Sequence, residues 1–236
     1  MLQEIIDEYL LQREKEKEGR EHSGLWNPSN FGRCFRQQFL KRKGVPFSNP
    51  PDLFTLRKFA RGNLVHDALE KLVTCVRPNC QVESVISTDD VSGRVDLLFP
   101  DCVIDIKSKA QNQMFYARKC LPKDFTPANF INNQTFANRY PCELLQTMFY
   151  AIHYSRPKAI LALVEENLSV LEFIYDVTDE WRHSVNNELT TLRSYWLLDE
   201  MPPPKSRTPY AECSYCVYRD YCKDLENKHN EDEHSK

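Results

Sequence analysis

Long apolar runs are missing from this chain. The longest clean one, Ala159 to Val164, is far too short to cross a bilayer. Met1 opens a charged, acidic segment rather than a basic-then-apolar leader. The expectation is a cytoplasmic protein with no membrane contact. An excess of positive charge is missing too. With 31 Lys and Arg against 34 Asp and Glu, the formal charge is -3. Nothing attracts nucleic acid globally, and any phosphate binding has to come from local basic patches. An even cysteine count is also absent: nine cysteines suit a disulfide framework poorly, and in a reducing compartment they read as core fillers, metal ligands or redox groups. No internal repeat is present.

What remains is an ordinary globular composition, 41% hydrophobic and 28% charged over 236 residues, enough for one large domain with a sizeable core. Met1 to about Glu21 reads as a charged helix with a weak apolar stripe through Ile5, Tyr9 and Leu10. Ser29 or Asn30 can cap a second helix, FGRCFRQQFLKRKG, which closes on Gly44 with Lys41, Arg42 and Lys43 in its last turn. After the Pro46–Pro51 turn, a third helix carries Leu64, Val65, Ala68, Leu69, Leu72 and Val73 at helical spacing, with His66 and Glu70 one turn apart beside them. Strands are expected at Gln81–Ser87, Gly93–Phe99 and Cys102–Ser108.

The stretch from Gln111 to Pro141 has no steady period and is expected to be a functional loop. Glu143–Tyr154 returns to helix. Ala159–Glu165 and Ser169–Val177 read as strands, and Thr178–Glu200 as a long helix burying Trp181, Val185, Leu189, Leu192 and Trp196. Pro202–Pro204 stops that helix, and the tail ENKHNEDEHSK has the composition of disorder. The expected division is an N-terminal helical segment at 1–45, a core at 46–200, a cysteine segment at 201–224 and a disordered tail at 225–236.

The hairpin SGRVDLLFPDCVIDIKSKA places charges where a core would be packed. In CVIDIKS, Val103, Asp105 and Lys107 share one face. A turn centred between Pro100 and Asp101 sets Asp96 opposite Asp105, at Cβ separations of about 4.5–5.5 Å where like charges repel. A divalent cation between the two relieves that repulsion, and Lys107 adds a positive group for a bound anion. An exposed, salt-bridged hairpin face carries the same residue types. Likewise, Gln146, Tyr150 and His153 form a polar helical stripe that can face a cleft or simply solvent.

G-x-x-x-H (Gly62 to His66), G-R-V-D (Gly93 to Asp96), D-I-K (Asp105 to Lys107) and Q-x-x-x-Y (Gln146 to Tyr150), taken in order, resemble the RecB-like branch of the PD-(D/E)XK nucleases. The resemblance implies an α/β, restriction-endonuclease-like core, a central mixed sheet flanked by helices. It implies a divalent metal, manganese or magnesium, at His66, Asp96, Asp105 and the Ile106 carbonyl, with Lys107 as the catalytic lysine and Gln146 and Tyr150 on the active-site side. Asp105 stands where the closest relatives usually have glutamate. His66 has another reading, as a half-buried histidine paired with Glu70.

Cys213, Cys216 and Cys222 form C-x2-C-x5-C, one thiolate short of a tetrahedral site. The same nuclease branch pairs one early cysteine with three late ones, which makes Cys34 the fourth candidate. It implies a 4Fe-4S cluster that clasps the N- and C-terminal helical segments together. Zinc fits the ligand count equally well. The remaining Cys75, Cys80, Cys102, Cys120 and Cys142 read as core or surface thiols.

The resemblance is closest to CRISPR-associated RecB-like exonucleases with an iron–sulfur cluster. It implies a metal-dependent DNA exonuclease that degrades single-stranded DNA 5′ to 3′ in CRISPR adaptation (spacer processing), with CRISPR integration proteins as partners. Two alternatives stay open: a phage or host recombination or repair nuclease, and a catalytically silent DNA-binding assembly subunit. Arg36, Lys41, Arg42, Lys43, Lys107, Lys109, Arg118, Lys119 and Lys123 are expected to track phosphates. Phe115, Tyr116, Phe125, Phe130 and Phe136 are expected to stack unpaired bases of single-stranded or frayed DNA.

Overall fold

The computed structural model describes residues 1–18, 23–123, 126–207 and 212–234, with the side chains at 127 and 228–234 also outside the description. Five strands form one mixed sheet in the order β1-β2-β3-β4-β5: β1 Gln81–Ser87, β2 Ser92–Leu98, β3 Cys102–Ser108, β4 Lys158–Val164 and β5 Val170–Asp176. Among these five strands, β3 and β4 pair in parallel, in register from Cys102↔Lys158 to Ser108↔Val164, and the other neighbours pair antiparallel. A parallel pair needs a crossover long enough to pass over one sheet face, and residues 109–157 supply it.

That crossover holds α4 Gln111–Arg118, α5 Gln134–Arg139 and α6 Pro141–His153. The expected functional loop is thus largely helical; residues 124–125 lie outside the described residues. Asn133 caps α5 by accepting the Phe136 N–H at 2.8 Å. Phe136 stacks on Phe173 of β5 and is buried, so its ring belongs to the core rather than to a base-stacking surface. Phe130 packs against the same core.

Helix α6 is buried nearly all round, Gln146 and Thr147 along with Leu144, Leu145, Met148, Phe149 and Ala151, because it lies between the sheet and α7, Asp179–Leu197. Thr178 caps α7, and Val185 and Leu192 of its expected apolar face are buried, with Trp181, Leu189 and Trp196 packed against them. One core residue of α7 was not anticipated: Glu188 is buried.

The other sheet face is covered by α3, Leu53–Val76, started by Asp52, which accepts the Thr55 N–H at 2.8 Å. Val65, Leu69 and Val73 lie over Leu97, Ile104, Ile106 and Val164. The six-residue apolar stripe is wider than the sheet can cover. One i, i+4, i+8 row contacts the strands, and the row beside it, Leu64 and Leu72, is exposed. Helix α1, Leu2–Glu18, rests on α3 through a polar contact, Arg57 donating to both Asp7 oxygens at 2.8 and 2.5 Å. Ile5 and Tyr9 of its weak stripe face solvent.

Helix α2 begins later than the sequence suggests, spanning Phe35–Arg42. Pro28–Asn30 forms a separate 3-10 turn capped by Asn27, and Cys34, buried, sits at the α2 N-cap. Gly44 terminates it with φ 69°, a conformation that glycine adopts freely. At the other end of the chain, α8 runs Arg219–His234 into the stretch whose composition reads as disordered. Its Glu and Lys residues favour helix without needing a core.

Candidate active site and cysteine cluster

The β2–β3 ladder contains Leu97↔Ile104 and Leu98↔Val103 and ends there. Continuing that register puts Asp96 across from Asp105 at the mouth where pairing stops. Asp96 is unpaired on its other side as well. The β1–β2 ladder passes from Val82↔Leu97 to Ser84↔Val95, and the skipped residue, Glu83, has φ 49°. A non-glycine residue in that region is strained, and such strain collects at functional positions. Freed from sheet pairing, the Asp96 carboxylate turns to accept the Ile106 N–H at 2.6 Å, with its other oxygen 3.4 Å from His66 Nδ1.

Asp105 is 1% exposed. Its Oδ1 accepts from Gln146 Nε2 at 3.0 Å, and its Oδ2 lies 2.7 Å from Lys107 Nζ. Lys107 in turn donates to Gln146 Oε1 at 3.2 Å. A carboxylate, an ammonium and an amide therefore form a closed triangle that fixes all three. With Lys107 as the ion partner of Oδ2 and Gln146 on Oδ1, the buried carboxylate still keeps lone-pair capacity. Burial pushes the Asp105 carboxyl up to about 6, with Lys107 opposing the shift and Asp96 adding to it. For Lys107, burial disfavours the ammonium, but Asp105 outweighs it and the pKa rises. His66 shows the same competition: burial lowers its pKa, Asp96 more than compensates, and the net shift is upward.

Tyr150 is buried beside this triangle, and burial first and Asp105 second raise its phenol well above the ordinary value. Its hydroxyl approaches Gly93 so closely that a Cβ there would meet Tyr150 Oη and Pro28 Cδ at 2.9 Å each. Gly93 is therefore needed for the close approach of β2, α6 and the 3-10 turn. His153, the third member of the polar stripe, stacks on Phe149 at 6.1 Å and takes no part.

Glu70 was passed over as a ligand. Among the described residues, the atoms of His66, Glu70 and Asp96 lie within 4.8 Å of one another, a spacing suited to one metal ion. Asp105 lies outside this tight group, tied to Lys107. Burial, then the charges of Glu83 and Asp96, raise the Glu70 carboxyl to about 7, a crowding of anions that a cation relieves. The i, i+4 spacing of His66 and Glu70 carried this signal in the sequence, where it read equally as a local pair.

Cys34, Cys213, Cys216 and Cys222 line one cavity of about 230 Å³. Burial, and then the neighbouring cysteines, raise the thiols of Cys213 and Cys216; burial also raises Cys222, against an opposing Arg36. Glu212 is buried beside them and accepts the Cys34 N–H at 2.8 Å and the Arg207 N–H at 3.1 Å, joining the early and late cysteine segments. No three of the four sulfurs fall within 4.8 Å of one another. Of the remaining cysteines, Cys75 is exposed and the other four are buried.

The expected phosphate-tracking stripe is interrupted by internal pairing. Arg36 donates to the Pro202 carbonyl at 2.7 Å, Lys43 pairs with Asp199, Lys109 lies 3.5 Å from Glu143 and Arg118 lies 2.9 Å from Glu165. The Arg42 guanidinium lies over both the Trp26 and the Trp196 rings. Lys119 lies over Phe115, which is exposed together with Tyr116. Phe125 is outside the described residues. No described helix is long and apolar enough to cross a membrane.

No family model and no curated protein matches the chain. Among solved structures, the protein SSO0001 superposes with a TM-score of 0.55 at 16% identity, covering 94% of this chain and 96% of the other. The alkaline exonuclease LHK-Exo from Laribacter hongkongensis gives 0.45 at 12% identity over 78% of this chain and 96% of that one. A phage-related exonuclease from Haemophilus somnus gives 0.48 at 13% identity over 71% and 82%. The first of these shows a shared α/β fold along nearly the full length of both chains.

Proposed function

We propose that the protein is a divalent-metal-dependent deoxyribonuclease that hydrolyses phosphodiester bonds. The observation that carries this reading is the convergence of Asp96, Asp105, Lys107 and Gln146 where β2 and β3 stop pairing, with His66 and Glu70 reaching in from α3. The residues fit a cation: the charges of Glu83 and Asp96 add to burial in raising the Glu70 carboxyl, and that of Asp96 adds to burial in raising the Asp105 carboxyl. His66, Asp96, Asp105 and the Ile106 carbonyl would hold it, with Glu70 as a further ligand. Mixed carboxylate and imidazole donors favour manganese over magnesium. A cation bound there supplies Lewis acidity at the scissile phosphate and lowers the pKa of the attacking water.

Lys107 holds its charge because Asp105 lies beside it, and Gln146 fixes its direction. It meets negative charge developing on the phosphoryl oxygens without first losing a proton. Gln146 keeps Asp105 and Lys107 in one geometry, and Tyr150 stays protonated and closes the pocket from behind.

In the finer reading, the substrate is single-stranded or frayed DNA, degraded as an exonuclease from the 5′ end. The setting is CRISPR adaptation, with integration proteins as partners. Support for these points comes from the ordered motif set and from the exposed Phe115 and Tyr116. Cys34, Cys213, Cys216 and Cys222 would hold a 4Fe-4S cluster as a structural clasp. Zinc fits the same four thiols by ligand count, and the preference for iron and sulfur rests on the resemblance of the motif set.

The test is a 5′-labelled single-stranded oligonucleotide incubated with manganese, with and without chelator. Cleavage is expected only with metal, to vanish in Asp96→Ala and to slow by about 100- to 1000-fold in Lys107→Gln. Undiminished cleavage by Asp96→Ala, or in chelator, refutes the mechanism.

A further inference from the structure

A cavity of about 260 Å³ opens between the Ser23–Asn30 segment and α2, lined by Trp26, Asn30, Gln38, Lys41, Arg42 and Phe47 among others. Its charge sets it apart. Two cations line it and no carboxylate does, whereas four further cavities each carry at least one Asp or Glu. Lys41 Nζ donates to a neutral acceptor, Asn30 Oδ1, at 2.8 Å. Burial, reinforced by Arg33, brings its pKa down to about 8. An ammonium in that situation gains from any anion that reaches it.

Gln38, 2% exposed, is held inward, its Nε2 donating to the Arg33 carbonyl at 3.0 Å and to Glu188 Oε1 at 2.9 Å. Arg42 is held rigid, its guanidinium 4.5 and 4.2 Å from the Trp26 and Trp196 rings and its Nε donating to the Gly24 carbonyl at 2.7 Å. Phe47, exposed, lines the same cavity and offers a ring face.

Two cations with no carboxylate lining the same cavity call for anionic oxygens. The exposed Phe47 ring beside them suits a base. We propose that this cavity is a nucleotide-binding site in which Lys41 takes the phosphate, occupied either by one unit of a DNA strand or by a free nucleotide. The strand form rests on the deoxyribonuclease reading. Pro28, in the same segment, contacts the Gly93 position beside Tyr150, so the site stands behind the candidate active site rather than in it.

Binding is measured in excess chelator, where no turnover occurs, so that failure of the cleavage reading leaves this measurement intact. Wild type, Lys41→Gln and Asn30→Ala are titrated with a fluorescent single-stranded oligonucleotide, with dAMP and with inorganic phosphate. Lys41→Gln is expected to weaken binding about tenfold or more, as loss of a charged hydrogen bond requires, and Asn30→Ala less. A loss confined to the oligonucleotide supports the strand unit, and a loss confined to dAMP supports the free nucleotide. Independently of variant folding, the ligand is expected to protect Lys41 of the wild-type protein from acetylation. Wild-type affinity of folded Lys41→Gln for all three ligands, or absence of protection, overturns the proposal.

Discussion

Replacing Glu188 by alanine should unfold this protein far more readily than any surface change. Glu188 projects from α7 into the interior, where Oε1 accepts from Gly32 N at 3.0 Å, Gln38 Nε2 at 2.9 Å and Arg207 Nη1 at 3.1 Å, and Oε2 accepts from Arg207 Nη2 at 2.7 Å. Arg207 also donates to the Arg33 carbonyl at 3.1 Å and stacks on Phe35. Truncation leaves a largely buried cation without its counter-ion, the Gly32 N–H without this acceptor, and Gln38 Nε2 with one of its two. Breaking a buried pair costs about 3–5 kcal/mol. The Arg207 side chain keeps 26% exposure, so the low end, about 3 kcal/mol, is expected. Glu188→Gln keeps an acceptor and should cost about 1–2 kcal/mol. Urea unfolding reads both as a fall in midpoint at constant slope, and the Glu188→Ala/Arg207→Ala double variant should lose less than the sum of its parts. A Glu188→Ala protein within about 1 kcal/mol of wild type would show that the network contributes little.

Asp105 and Glu70 have folded-state pKa values raised above their ordinary ones, to about 6 and about 7. Their contribution to stability is therefore complete below about pH 4 and is lost as pH rises through 6 to 7. Urea midpoints of metal-free protein at pH 5 and pH 7.5 should differ less in Asp105→Asn/Glu70→Gln than in wild type, and an unchanged difference would be contrary. Manganese at about 100 times its Kd should raise the Tm by roughly 5–10 °C; Asp96→Asn should abolish that rise, and a rise surviving in the variant would place the ion elsewhere. Cys34→Ser should yield colourless, less stable protein, whereas a stable brown variant, judged by its visible spectrum, would remove Cys34 from the ligand set.

Local pattern and tertiary structure contributed differently to what can be read of this molecule. Period-two alternation in VIDIKS put Asp105 and Lys107 on one face before any coordinates, because side-chain direction in a strand depends only on parity. The same local rule placed Asp96 across the turn from Asp105. Helical rows were legible too, but which row is buried was not: Val65, Leu69 and Val73 meet the sheet while Leu64 and Leu72 do not. That choice depends on what a helix docks against. Glu188 escaped notice for the same reason, since a single glutamate on an amphipathic helix gives no sign of the Arg207 that will meet it 19 residues later.

The sequence alone thus determined the strand order of charges, the cysteine spacing and the ordered motif set, all properties of neighbours along the chain. Only the folded structure decided that Glu70 joins His66 and Asp96, that Gln146 closes the Asp105–Lys107 triangle, that Arg36, Arg42 and Lys43 are spent on internal contacts, and that Lys41 faces a cavity without a carboxylate. Each of these is a meeting between distant segments. Burial then sets its consequence, because a charge taken out of water is governed by whichever group happens to face it.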